Sequence, residues 1–256
     1  MKIIRNDRYI KRNNRIGQFA SLLGLLILAI GFAISIRSLA TFETAKPLEI
    51  KWDAIGLNLS LDQQQQTTIS MLALLIGFIL SQVGIFFGNR FSRRPRPDEL
   101  LDAALKGLDD RYAIFHYTMP VSHVLIGPSG IWLLLPRHQS GKIVYEKKRW
   151  RQKGGGPIQA YLRFFAQEGL GRPDLEFETE TAALTRYLKN KLPDFEIPEI
   201  QKALVITNER TEIIADDAPI LTVPAKKLKE IIRKAGKGKG LPPAKLEALK
   251  AVLPQP

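Results

Sequence analysis

The stretch Ser122-His123-Val124-Leu125-Ile126-Gly127-Pro128-Ser129-Gly130-Ile131-Trp132-Leu133-Leu134-Leu135 decides the fold of the second half of the chain. Two apolar, β-branched runs flank Gly-Pro-Ser-Gly. Pro and Gly at those positions make a tight turn, so residues 122–126 and 131–135 read as a hairpin. Working outward, residues 112–117 (YAIFHY) and 143–145 are further strands, the latter entered through Gly141-Lys142. The glycine-rich run 151–157 reads as a loop. Helical spacing predicts helices over residues 158–167 and 178–192, ahead of a very apolar strand at 203–207 (ALVIT). A short strand near 220–223 and a helix over 225–234 follow. Upstream, Asp98 and Glu99 open a helix with Leu101, Leu105 and Leu108 on one face, the acids suiting its N-terminal dipole. Strands interleaved with helices predict an α/β domain over 98–235 with a mixed sheet. Residues 236–256 read as a flexible basic tail with a short helix near 244–252.

The first ninety residues are of another kind. Residues 16–36 and 67–88 are uncharged apolar blocks of roughly 20 residues, the length needed to cross a hydrocarbon core of about 30 Å. In lipid each backbone amide must bond within its own segment, so both are expected as transmembrane helices. Lys2, Arg5, Arg8, Lys11, Arg12 and Arg15 precede the first block, and Arg90, Arg93, Arg94 and Arg96 follow the second. The loop 37–66 balances Arg37, Lys46 and Lys51 with Glu43, Glu49, Asp53 and Asp62. The positive-inside rule therefore puts the basic segment 1–15 and the linker 89–97 in the cytosol and the loop outside. The expected protein is a multi-pass inner-membrane protein of bacterial type with both termini cytosolic. Ser38-Leu39-Ala40 also resembles a signal-peptidase site, but the apolar run is longer than an ordinary signal core. Gln63 to Gln66 are either a spacer or the polar start of the second helix.

Gly17, Gly24 and Gly31 on the first block, and Gly77, Ser81, Gly84 and Gly88 on the second, allow close helix packing, within one chain or in a homo-oligomer. Neither block carries an ionisable residue, and Gln82 is the one strongly polar group in the apolar cores. Transport and proton relay call for intramembrane charge, so the pair reads as an anchor.

The net charge is +13, and there is no cysteine. That excludes disulfides, thiol catalysis and Cys-based zinc sites. His116, His123 and His138 read as ordinary strand or loop residues. Gly127 to Gly130 join strands rather than open a helix, and Gly154 to Gly156 lack the Lys-Ser/Thr of a P-loop. The basic run Lys147, Lys148, Arg149, Trp150, Arg151 and Lys153, with Arg137 and Lys142 nearby, is a candidate polyanion surface. Cations contact phosphates and an embedded aromatic can stack on a base. Equally, it reads as a solvated face near anionic lipid headgroups.

The run from Ser122 to Trp132 resembles the nuclease-related domain, NERD, a branch of the PD-(D/E)xK nuclease-like fold. That family reads Asp-His, three aliphatics, Gly-Pro-x-Gly-Ile-aromatic, then a Glu-x-Lys strand. Weaker matches are the acid Asp98 on the opening helix, Gly141 ahead of a strand, Trp150, and the later strand before Lys226. The resemblance implies a restriction-endonuclease-like fold and Mg²⁺ chemistry, with carboxylates holding the ion and the lysine assisting at the phosphate. Here the Asp position is Ser122, the Glu position is Leu135 and the Lys position is Arg137. Asp98 is the one acid retained, and Glu146, Asp109 and Asp110 lack the alternating spacing to replace the others. The expectation is a degenerate, non-catalytic module needing no cofactor. It would bind nucleic acid, anionic lipid or protein at the cytosolic face. The alternatives are a metal nuclease with a relocated site and a purely structural membrane scaffold.

Overall fold

The computed structural model describes residues 1–40, 47–52, 57–154, 156–157, 161, 165, 169–237 and 240–254. It divides into two compact units, one made of Met1–Lys11 with Arg93–Pro256 and the other of Arg12–Ser92.

The first unit is built on a six-stranded mixed sheet. Its strands are β1 (Lys2–Arg5), β4 (Ala113–His116), β5 (His123–Gly127), β6 (Gly130–Arg137), β9 (Ile200–Ile206) and β11 (Leu221–Pro224), in the order β1-β4-β5-β6-β9-β11. β5 is antiparallel to both neighbours, and the remaining pairs are parallel. The Gly127 to Gly130 hairpin forms as its turn residues require, with Gly130 at φ +101°.

Both faces of this sheet are covered, which is why its strands are continuously apolar instead of alternating. One face carries Val124, Ile126, Ile131, Leu133 and Leu135. They pack on Phe177, Leu184 and Leu188 of α4 (Pro173–Lys191) and on Leu246 and Leu249 of α6 (Pro243–Val252). The other carries Ile114, Leu125, Trp132, Leu134 and Val205. These pack on Leu101 and Leu105 of α3 (Pro97–Leu105) and on Leu228 and Ile232 of α5 (Ala225–Lys237). A separate three-stranded sheet joins β10 (Glu212–Ile214), β7 (Lys142–Glu146) and β8 (Arg149–Lys153).

The second unit contains most of α1 (Asp7–Ala40), the hairpin β2 (Leu48–Trp52) and β3 (Leu57–Leu61), and α2 (Gln63–Phe87). Both helices are long and apolar enough to cross a membrane. Their outward side chains are hydrocarbon: Phe19 and Leu22 are each 69% exposed and Leu39 is 79% exposed. A core helix of a water-soluble fold would have those groups buried. The small residues are consumed where the two helices meet. A Cβ on Gly24 would stand 2.7 Å from Ser81 N, one on Gly77 would stand 2.8 Å from Leu28 N, and one on Gly84 would run into Ser21. Asp62 caps α2 by accepting from Gln65 N at 2.8 Å, while the Gln65 side chain accepts from Asp62 N.

Several expectations are corrected. Residues 1–15 are not simply a basic terminus: Lys2–Arg5 is an edge strand of the α/β sheet, and α1 already begins at Asp7. α1 therefore exceeds the apolar block 16–36, because the charged turns before it are equally helical. The loop 37–66 is shortened by α1 running to Ala40 and by Gln63 to Gln66 opening α2. A π-helical turn carries the second helix on to Ser92, beyond the predicted end at Gly88. Arg149–Lys153 is a strand and not the start of a loop. The tail is not simply flexible, since Leu246, Leu249 and Leu253 are buried in the core. The helix expected at 158–167 lies outside the described residues, except for helical positions 161 and 165.

Candidate functional site

Position by position, the residues matched to the nuclease motif do not assemble. Val124 pairs with Leu133, and Ser122 lies just before β5, outside the residues paired with β6. Leu135 is 2% exposed within the first core. Arg137, on the same face, binds Glu176 through Nη2 and donates from Nε to Leu170 O at 3.4 Å. Ser122 N donates to Glu180 Oε1 at 3.4 Å. Asp98 is on α3, which packs against the opposite face, so the sheet separates it from Ser122, Leu135 and Arg137. Both oxygens of Asp98 are also engaged. Arg96 donates to Oδ1 from Nε and to Oδ2 from Nη2, each at 3.0 Å, and Arg5 Nε is 2.9 Å from Oδ2. These residues do not fit Mg²⁺: one carboxylate is present, bracketed by two guanidinium groups.

The structure assembles instead a buried polar network that sequence reasoning missed. Asp98 and Asp102 are i,i+4 neighbours on α3, a repulsive arrangement if left alone. Arg5, at the end of β1, bridges them through Nε and Nη2. His116 ends β4 opposite Arg5, and its Nε2 is 2.9 Å from Asp102 Oδ1. His123 begins β5 directly opposite His116, and their Nδ1 atoms are 2.8 Å apart. Tyr117, at φ +57°, stands edge-on to His123 at 4.9 Å and stacks on Tyr9 at 5.8 Å. Asp98 and His116 are fully buried. Burial is the largest single influence on the Asp98 carboxyl and pushes it up, but it is outweighed by the Arg96 hydrogen bond and the surrounding positive charge acting together. The net effect of that bond and of the Arg96 and Arg5 charges is to hold the group below the ordinary carboxylate range. The legible signals were the i,i+4 acids and a histidine at facing ends of two adjacent strands.

The basic run is placed as follows. β7 and β8 are joined by Lys147 and Lys148, both left-handed at φ +49° and +59°. Along β8 the exposed residues are Arg149, Arg151 and Lys153, while Trp150 and Gln152 face inward. Trp150 packs on Tyr145, 5.1 Å between centroids, and on the first core. It is thus on the other face from the cations beside it in sequence. Glu146 sits among those cations, 2.8 Å from Lys153 and 3.5 Å from Arg151. The Lys153 hydrogen bond holds its carboxyl below the usual range. Lys142 is paired with Glu212 at 2.7 Å. Exposed charge is therefore concentrated at the turn, Lys147 to Arg149. His138 is a loop residue sharing a hydrogen bond with Thr207 Oγ1 at 3.0 Å.

Compared with family models, with curated proteins and with solved structures, the chain matches none.

Proposed function

We propose that this chain is a two-span inner-membrane protein whose cytosolic α/β unit is a NERD-like domain without metal chemistry, acting as a binding module. One observation carries the reading. The acid that would begin a nuclease site, Asp98, is buried between Arg5 and Arg96, and the positions that would complete the site are a core leucine and a committed arginine across the sheet. A cation would have to displace two buried guanidinium groups to reach that carboxylate.

The topology has its own support. β1 precedes the first apolar helix, and the rest of its sheet follows the second. Two crossings return a chain to the side it left, so strand and domain share one membrane face. The Lys/Arg bias makes that face cytosolic. Cleavage after Ala40 would remove β1 and Arg5, leaving the β4 edge open.

The binding surface is the turn of the β7–β8 hairpin, with Lys147, Lys148 and Arg149 at its tip, and its partner is a polyanion such as nucleic acid or an anionic lipid surface. The test uses the full chain in nanodiscs. It should bind nucleic acid or anionic vesicles weakly, with steep salt dependence, and leave DNA and RNA intact with Mg²⁺ or Mn²⁺. Metal-dependent cleavage would overturn the non-catalytic reading, and unchanged binding after removal of all three cations would overturn the surface.

A further inference from the structure

A cleft of about 380 Å³ opens where two neighbouring parallel strands end. Ile206 closes β9, Pro224 closes β11, and the two are register partners. In α/β sheets the space beyond the carboxyl ends of the strands is where small ligands sit, and sites for them measure about 300–1,000 Å³. Ile206, Pro224 and Ile213 of β10 supply apolar lining. The segment that follows β9 is braced before any ligand arrives. Thr207 donates to Arg137 O from N at 2.8 Å and from Oγ1 at 3.1 Å, and Thr211 Oγ1 donates to Gln139 O at 2.5 Å. Asn208 Oδ1 accepts from Arg210 N at 3.0 Å, which leaves its amide NH₂ as a donor toward a guest. Glu209 beside it is exposed and supplies an acceptor.

The segment that follows β11 brings charge of the other sign. Lys226 and Lys227 line the cleft at the start of α5. Both are exposed, and neither is ion-paired among the described residues; Glu230, one turn on, is taken by Lys234 at 3.0 Å. The first turn of α5 carries no acid, so its unpaired N–H groups add to the positive end. The cleft therefore joins a cationic end, apolar lining and a neighbouring donor and acceptor. A phosphate suits the first, and a flat heterocycle with a polar edge suits the other two. We propose that this cleft binds a nucleoside monophosphate, its phosphate held by Lys226 and Lys227 and the edge of its base read by Asn208 and Glu209. None of the hairpin cations Lys147, Lys148 and Arg149 lines it, so the site stands apart from the polyanion surface and does not depend on it.

Equilibrium dialysis of the full chain in nanodiscs, with AMP, GMP, CMP and UMP as probes, tests the site. At least one should bind with a dissociation constant on the order of 0.1 mM or below. The matching nucleoside and inorganic phosphate should each bind about tenfold or more weakly, because each reaches only part of the cleft. Lys226→Gln combined with Lys227→Gln should weaken nucleotide binding about tenfold or more. Lys189→Gln combined with Lys191→Gln removes the same charge from exposed positions at the end of α4 and should leave binding as it was. Failure of all four nucleotides to bind overturns the site. So does equal binding of nucleoside or inorganic phosphate, an unchanged cleft variant, or equal losses in the two variants. If the cleft variant does not fold, amine acylation of the native chain, read by mass spectrometry, decides. With nucleotide at about ten times its dissociation constant, modification of Lys226 and Lys227 should slow about tenfold while Lys189 is unaffected. Rates that do not change at Lys226 and Lys227, or that fall equally at all three lysines, sink the proposal.

Discussion

Arg5 Nε lies 2.9 Å from Asp98 Oδ2, so the residue two positions before α1 is ion-paired to the second residue of α3. Between them in sequence lie both apolar helices. The contact therefore ties the strand that leads into the first helix to the helix that follows the second. Arg96 closes the same carboxylate from the other side with a bidentate pair, the geometry a guanidinium favours.

Asp98→Ala should act on stability. It leaves Arg96, 7% exposed, and the half-buried Arg5 without their shared carboxylate. Losing one partner of a buried ion pair typically costs about 3–5 kcal/mol. Thermal unfolding of the detergent-solubilised chain should shift down accordingly, with loss of protection in β1. A variant that keeps the native melting temperature would show that the pair contributes little.

The orientation has a direct chemical check, because the chain has no native cysteine. Ser60→Cys, exposed at the end of the β2–β3 hairpin, should react with an impermeant thiol reagent in intact cells. Asp217→Cys, exposed between β10 and β11, should react only after permeabilisation. The reverse pattern would invert the topology, and labelling of both in intact cells would remove the two-span arrangement.

The glycines of the helical unit predict a graded response. Gly77→Val places a Cβ 2.8 Å from Leu28 N, in backbone that cannot yield as a side chain would. Overpacking of this kind costs about 1–3 kcal/mol. At Gly88 the helical φ of −59° tolerates any residue and a Cβ meets nothing within 4 Å, so Gly88→Val is the matched control. Heat-induced aggregation in detergent should come earlier for the first and change little for the second. Equal effects would mean that the glycines are not helix contacts.

These contrasts also show what the sequence could reveal. Gly127-Pro128-Ser129-Gly130 announced its hairpin, and the two apolar blocks announced their helices, because both signals are local. β1 was illegible because Lys2–Arg5 is short and basic, and its strand character comes from β4, far along the chain. β8 was hidden for a similar reason: Arg149, Arg151 and Lys153 point to solvent, leaving Trp150 and Gln152 to carry the inward pattern. Composition suggested that Trp150 shared a surface with its cationic neighbours. Strand alternation puts them on opposite faces, which becomes visible once those residues are known to be extended. The His116–His123 pair needed the β4–β5 register, which no single segment encodes.

The β7–β8 turn sets stability against binding. Lys147 and Lys148 occupy the two left-handed positions of a two-residue hairpin, where Asn-Gly is the preferred pair. A non-glycine residue there costs about 1–2 kcal/mol. Lysine at both positions exposes charge at the tip at the expense of turn stability, which fits a surface that meets a polyanion. Replacing them with Lys147→Asn and Lys148→Gly should therefore raise the stability of the α/β unit by on the order of 1 kcal/mol, read as a higher melting temperature. The same change should weaken binding to nucleic acid or anionic vesicles. Its log–log salt slope should flatten by up to about 2, close to 0.9 for each duplex phosphate that is no longer neutralised. Trp150→Ala gives the opposite pairing of results. It empties a place beside Tyr145 and the first core, so stability should fall while the salt slope stays the same. If the Asn-Gly turn stabilises the fold and leaves binding untouched, the hairpin is a solvated face, and the protein is better read as a membrane scaffold.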